Sequence, residues 1–411
     1  MRIAFYNRLR KIEDKLRPNY YEINPGIGGT QFLFLLYYYY SKEYSIENQI
    51  YLITDLQNSE FIEYKYASNL NEALTIANQL NCDYLIIKET DVLEYISNNK
   101  NTKTKILLWA HNVITRKIHK KIQNTSIVRG IICVSEKQYQ NMKHSALYPI
   151  TYFVNNGLPA NINKSPSDFR KNNEVVFIAS IVPQKGLHNL LDIWRLVDSK
   201  TKLTKLHIIG SSSVWETNGK TGSMGITYDY YEKLIRKKLA KIKNSQVIFH
   251  GAKSWNEIQN IIKYTKIGVV NPSKFKRDET FCMTAVELQS QGIPVISRQR
   301  GDGLNTTVIH GETGFLHKNN RKIAREIVSL LNNDSILSKL SSNATIHASK
   351  FNINNSISKL IYTINEINNN NNNNNRYNKS IFNKDYLLIF IDRIRYLIIR
   401  VYCNMLRKKG D

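Results

Sequence analysis

The residues able to do chemistry in this 411-residue chain gather in three short stretches. In NPSKFKRDETFCMTAVELQSQGIPVIS (271–297), Glu279 and Glu287 stand eight positions apart. Spacing alone makes no site, because two positions eight apart on one helix point about 80° away from each other. Asn271 and Pro272 end a strand, a charged loop follows, and a helix is expected to begin near Phe281. Glu279 then falls in the loop at the helix mouth and Glu287 on the helix, so both can face one cleft. Gly292 closes the helix and Pro294 enters the next strand.

The second stretch is FIASIVPQKGLHNLLDIW (177–194). A strand ends, a turn carries Pro183, Lys185 and Gly186, and a helix begins. A lysine just before a helix N-terminus adds a point charge to the helix dipole and can bind a diphosphate; otherwise it is a solvated loop lysine. The third stretch is NPGIGGTQ (24–31), where Gly28 and Gly29 precede a helix and let backbone approach a phosphate or sugar. A dinucleotide fingerprint requires a third glycine, where Gln31 stands, and glycines directly after the first strand. A long polar loop intervenes here, and Asp55 at a strand end only imitates the ribose-binding acid.

Positioning these residues falls to a repeated alternation of strands and helices. Short β-branched runs at 2–7, 50–54, 84–88, 105–110, 130–135 and 150–155 alternate with helical stretches such as TQFLFLLYYYYSKEY and NLNEALTIANQL. A polar break at 159–174 follows. The alternation restarts at 175–180, 205–210, 246–251, 267–272 and 294–297. This is the pattern of two parallel, doubly wound α/β sheets. The expected domains are 1–160 and 173–345, with a closing helix at 346–367. Eight consecutive asparagines, Asn368–Asn375, lie in a polar linker (368–384) that cannot bury a core. The chain turns apolar again in YLLIFIDRIRYLIIRVYCNMLRKK. Over 385–411, Arg393, Tyr396, Arg400, Asn404 and Arg407 form a polar stripe on a helical wheel, which predicts an amphipathic basic helix in a membrane interface.

Composition narrows the partners. Lys and Arg number 58 against 33 Asp and Glu, a formal charge of +25. Such a balance calls for an anionic partner, although much of it is spread over helix faces such as YEKLIRKKLAKIKNS (231–245). No RNA-recognition motif, zinc finger or helix-turn-helix signature is visible, so nucleic acid is not expected. Cys82, Cys133, Cys282 and Cys403 form no C-x-x-C pair and read as reduced thiols of a cytosolic protein. The N-terminus reads as a first strand rather than a leader, and no apolar run is long enough to span a bilayer.

In the order of these elements the chain resembles the retaining nucleotide-sugar glycosyltransferases of GT-B fold, family-4 type. The resemblance covers about residues 1–366. It rests on GIGGTQ (26–31), WAHN (109–112), CVSEKQ (133–138), VNNGLP (154–159), IVPQKGLHNLL (181–191), the paired glutamates and IHGETGFL (309–316). It implies two Rossmann-like domains facing a cleft, acceptor domain first and donor domain second. It further implies that His111 sits beside the transferred sugar, Lys185 binds the diphosphate, Glu279 contacts sugar hydroxyls and Glu287 ribose hydroxyls. Gly28, Gly29, Ser180, Phe281 and Cys282 would line the substrate. A nucleoside diphosphate leaves in such a reaction, and a lysine, backbone amides and a helix end can stabilise its charge without metal. No D-x-D triplet is present, and no metal or cofactor is expected.

The family often carries Gly-Arg where Ala179 and Ser180 stand. Either Lys185 carries the charge alone, or Arg277, Arg298 or Arg300 replaces that arginine. The implied acceptor is a glycan or lipid-linked molecule in cell-envelope polysaccharide or lipopolysaccharide synthesis, with the protein peripheral at the inner face of a membrane. The rival readings are a catalytically silent scaffold that binds glycans or partners, a charge-driven nucleic-acid binder, and a sugar-nucleotide epimerase.

Overall fold

The structure is a computed structural model. It describes residues 1–370 apart from 45–46, 96–101, 161, 163–171, 213–221, 275–278 and 300–301, together with Ile394, Leu397, Val401 and Met405. The chain forms two compact units. Met1–Asn161 make the first, joined by two later segments, Glu279–Phe281 and Phe351–Arg393. The second takes Ile162–Asp278, Cys282–Lys350 and Ile394–Asp411. A single linear cut of the sequence does not reveal these two returns.

The first unit is built on β1 (Arg2–Asn7), α1 (Gly29–Tyr44), β2 (Gln49–Thr54), β3 (Lys65–Tyr66), α2 (Leu70–Gln79), β4 (Tyr84–Lys88), β5 (Lys105–Ala110), α3 (Arg116–Gln123), β6 (Val128–Cys133), α4 (Glu136–Asn141) and β7 (Thr151–Phe153). Its seven strands are parallel in the order β3-β2-β1-β4-β5-β6-β7. Both faces of a parallel sheet are covered, so its central strands are continuously apolar. Five of the six residues of KILLWA in β5 are buried. The core gathers Tyr6, Ile53, Leu85, Ile87, Leu108 and Ile131 with Leu74 of α2 and Ile118 and Ile122 of α3.

The second unit has β8 (Glu174–Ile178), α5 (Leu187–Asp198), β9 (Lys205–Ile209), α6 (Asp229–Leu239), β10 (Gln246–Gly251), α7 (Trp255–Ile262), β11 (Ile267–Val270), α8 (Met283–Ser290), β12 (Val295–Arg298), α9 (Leu304–Thr307), β13 (Gly314–His317), α10 (Asn320–Leu331) and α11 (Asp334–Ser349). Its six parallel strands run β10-β9-β8-β11-β12-β13. Phe177, Ile208, Val269 and Ile296 of the sheet bury against Leu190, Trp194 and Ile327. Fully burying each such side chain contributes about 1.5–3 kcal/mol.

The last helix, α12 (Ile353–Asn369), returns to the first unit. Ile367 sits so close over β6 that a Cβ on Gly130 would meet its Cδ1 at 2.8 Å. The first asparagines of the polar tract, Asn368 and Asn369, are helical, and the Tyr84 hydroxyl donates to Asn368 Oδ1 at 3.3 Å. Residues 371–393, which hold most of the expected linker, lie outside the described residues, as does the polar stripe of the tail.

Two strands were not anticipated. β3 is a two-residue exposed edge beside the end of β2. β13, GFLH, has the alternating burial of an edge strand beside β12.

Candidate active site

In each sheet the strand order reverses at one point, between β1 and β4 in the first unit and between β8 and β11 in the second. Ligands of doubly wound sheets bind outside the carboxyl ends of the strands at such points. The sequence-predicted residues sort themselves around these two places.

In the first unit, His111 follows β5 directly. Its ring lies against Trp109, with centroids 4.6 Å apart, and Phe34, 6.0 Å apart. Nε2 is buried without a hydrogen-bond partner among the described residues. Burial, with Lys88 nearby, pushes its pKa down to about 3. The imidazole is therefore neutral at physiological pH and protonates only far into acid. A neutral ring offers one donor and one acceptor nitrogen, suited to a sugar hydroxyl or carbonyl.

The peptide that carries this ring is held from several sides. Glu89, just beyond β4 and fully buried, accepts from the His111 N–H at 3.0 Å and from Asn112 Nδ2 at 2.7 Å. Burial raises its pKa, opposed by the Asn112 bond and Lys88. Gln138 Nε2 donates to the carbonyls of Ala110 at 2.9 Å and Asn112 at 3.0 Å. Asp91 lies close by, raised to about 6 by burial against the opposing pull of Arg8 and Lys88. Sequence reasoning missed Glu89 and Asp91. Their signal was a charged run, KETD, at the carboxyl end of a central strand.

Gly28 and Gly29 open α1, and the Asn24 side chain accepts from the N–H groups of Gly26 and Ile27, both at 2.9 Å, to shape the turn before them. Gln31 is tied to the end of β1 through Asn7 and Arg8. Asp55, the imitation of a ribose acid, instead accepts from the backbone N–H of Leu9 at 2.6 Å and Arg10 at 2.9 Å. Its carboxylate is committed to the loop after β1.

Glu279, Thr280 and Phe281 also belong to this unit. The Phe281 ring is buried edge-to-face on Phe351, 5.3 Å between centroids. The expected helix begins two residues later, at Met283.

In the second unit, Ser180 follows β8 and Lys185 ends a 3-10 turn, Pro183–Lys185. Gly186 then caps α5 with φ +82°, and a Cβ there would meet the Ser273 backbone nitrogen at 2.3 Å. Only glycine fits this contact. Asn189 Oδ1 accepts from the Lys274 N–H at 2.9 Å. The loop bearing Lys185 is thus stitched to the loop after β11. Asn271, at φ +42°, donates through its side chain to Cys282 Sγ at 3.9 Å. Strained backbone of this kind concentrates at functional sites.

Arg298 is not the substitute for the family's arginine. Its guanidinium donates to the Pro272 carbonyl at 3.0 Å, to the Lys318 carbonyl and to Asn320 Oδ1. A guanidinium committed to three protein acceptors has little left for phosphate. Arg277 and Arg300 lie outside the described residues.

Glu287 is half-buried on α8, and its carboxylate has no hydrogen-bond or ion-pair partner among the described residues. Burial raises its pKa to about 7. Hydroxyl donors from a ribose, the ligand that the resemblance implies for this residue, would favour the ionised form. Nucleoside binding is therefore expected to strengthen as pH rises towards about 7 and to weaken below it, approaching tenfold per pH unit. Glu287→Gln should flatten that profile in calorimetric titrations with the nucleoside, which carries no titrating phosphate. Parallel profiles for the two proteins would remove Glu287 from the ribose.

Residues 160–347 match the family model described as glycosyl transferases group 1. That segment belongs to this family, and the two parallel α/β sheets have the GT-B architecture. An uncharacterised glycosyltransferase of Methanocaldococcus jannaschii is 30% identical over 223 residues, which is 54% of this chain and 55% of that protein. The chain thus spans little more than half of this relative. Anabaena HepE, solved in complex with UDP-glucose, superposes with a TM-score of 0.66 at 16% identity, over 89% of this chain and 100% of the other. The lipopolysaccharide outer core galactosyltransferase WaaB, in its apo form, gives 0.63 at 17% identity, over 89% and 99%. At these identities the likeness to solved structures is one of fold.

Proposed function

We propose that the protein is a retaining, metal-independent glycosyltransferase that moves a sugar from a nucleoside-diphosphate sugar to a glycan or lipid-linked acceptor in cell-envelope polysaccharide synthesis. The observation that carries the reading is the placement of Lys185 and the N-terminus of α5 at the strand-order reversal of the family-matched unit. A cation beside the positive end of a helix dipole is what a departing diphosphate requires. Lys185 neutralises the developing phosphate charge, Glu287 accepts from the ribose hydroxyls and Glu279 from the hydroxyls of the transferred sugar. The neutral His111 ring supplies a hydrogen bond to that sugar. The UDP-glucose held by HepE and the lipopolysaccharide role of WaaB support the donor and acceptor classes. Thermal shift of the purified protein against a panel of nucleotide sugars tests the reading, followed by transfer from whichever donor stabilises it. No stabilisation by any nucleoside-diphosphate sugar or free nucleoside diphosphate would overturn it.

The tail supports a place at a membrane surface. Ile394, Leu397, Val401 and Met405 are helical, spaced along one helix face, and 42–56% exposed. No described helix is long and apolar enough to cross a membrane. An apolar face alternating with arginines fits an interfacial helix, each basic residue contributing about 1 kcal/mol near an anionic leaflet. Removing residues 377–411 is expected to abolish sedimentation with anionic liposomes while transfer to a soluble acceptor persists. Unchanged liposome binding would return the helix to the protein's own surface.

A further inference from the structure

The residue after Glu279 makes a contact that reaches 169 positions back along the chain. The Thr280 hydroxyl donates to the His111 backbone carbonyl at 2.6 Å, and the Thr280 carbonyl accepts from Ser135 Oγ, also at 2.6 Å. Thr280 is 7% exposed and Ser135 fully buried. Ser135 is itself fixed, since its hydroxyl accepts from the Gln138 N–H at 3.1 Å as the N-cap of α4. The carbonyls of Ala110, His111 and Asn112 are thereby all captured by side chains, Gln138 taking the outer two and Thr280 the middle one. Adjacent Cα atoms lie about 3.8 Å apart, so whatever holds Thr280 also fixes the backbone of Glu279.

We infer that Thr280 is a positioning residue: its hydroxyl fastens the backbone of Glu279 to the peptide of His111 and sets the two side chains at one fixed separation. The inference deepens the proposed glycosyl transfer and, for its kinetic consequence, rests on it. Neither glutamate spacing nor His111 alone achieves this registration. Glu279 lies in the connection from β11 to α8, and a loop end has no sheet ladder to hold it. Two short hydrogen bonds from buried groups supply the restraint, and the Phe281 ring on Phe351 supplies the apolar part on the other side of the same residue. A misplacement of about 1 Å in such a pair costs on the order of a hundredfold in rate.

The test compares Thr280→Val, which keeps the shape and loses the hydroxyl, with Thr280→Ser, which keeps the hydroxyl. Turnover, affinity for the free nucleoside diphosphate, and amide hydrogen exchange over residues 109–115 are measured on the full chain. Thr280→Val is expected to lower kcat by about ten- to a hundredfold. It should leave nucleoside diphosphate affinity within about twofold and speed exchange over 109–115 by about fivefold, the weight of one ordinary hydrogen bond. Thr280→Ser should restore both kcat and exchange. If the valine variant fails to fold, Thr280→Ala carries the same comparison, since it places no methyl against the carbonyl. Wild-type kcat and exchange in the valine or alanine variant would overturn the inference, as would a serine variant as impaired as valine in both. A protein with no transfer from any donor whose exchange still follows the hydroxyl would sink the proposed function and leave the clamp standing.

Discussion

Replacing Glu279 by glutamine is expected to lower turnover by about two to three powers of ten, the loss typical of one well-placed polar contact in a transition state, while the protein stays folded. The physical reason lies in what surrounds the residue. Its neighbours Thr280 and Phe281 are buried and fastened within the first unit, so the backbone at 279 does not depend on its own carboxylate. Glutamine has the same shape and differs only in charge and in presenting donors where a carboxylate accepts. A sugar centre that gains positive character as its bond to diphosphate breaks is stabilised by a nearby carboxylate more than by an amide, and that difference grows in a site shielded from water. The prediction is checked by steady-state turnover beside circular dichroism and melting temperature. Near-wild-type turnover in Glu279→Gln would remove the residue from the chemistry.

How much of this was legible in the sequence depends on the range over which each feature is determined. Strands of a parallel sheet are buried on both faces, so runs such as KILLWA and YLIIK announce themselves without periodicity. Turn chemistry is local too, and the PQKG turn with its left-handed glycine was readable because only glycine tolerates that conformation cheaply. What was not legible is long-range. Nothing in ETFC states that Glu279–Phe281 joins the first unit, because that depends on a hydroxyl meeting a carbonyl 169 positions away. Glu89 was overlooked for the same reason: its role is set by the His111 amide and the Asn112 side chain on the adjacent strand end. Arg298 was offered as a phosphate ligand on charge alone, and only its three acceptors show it to be committed elsewhere. Edge strands such as β13 are weak signals because half of their residues face solvent and glycine dilutes the rest.

Lys185→Ala is expected to weaken binding of the free nucleoside diphosphate by about ten- to a hundredfold, the weight of a charge-assisted hydrogen bond, and to leave binding of the bare nucleoside nearly unchanged. The contrast follows from position. Lys185 ends the turn after β8, immediately before the left-handed Gly186 that starts α5, so a diphosphate held by the N-terminus of α5 lies within reach of its ammonium. The nucleoside has no charge to answer it. Equal losses for both ligands would return Lys185 to an ordinary loop cation or show that the turn itself had collapsed. The Ser180 position sharpens the comparison. Serine cannot supply the charge that the resembling family places there, and Arg298 is committed to Pro272, Lys318 and Asn320. Ser180→Arg is therefore expected to tighten nucleoside diphosphate binding in the wild-type background and to recover part of the loss in Lys185→Ala. Calorimetric titration of the single and double variants gives the coupling between the two positions directly. Affinity unchanged by Ser180→Arg in both backgrounds would show that another cation, Arg277 or Arg300, already occupies that side of the phosphate.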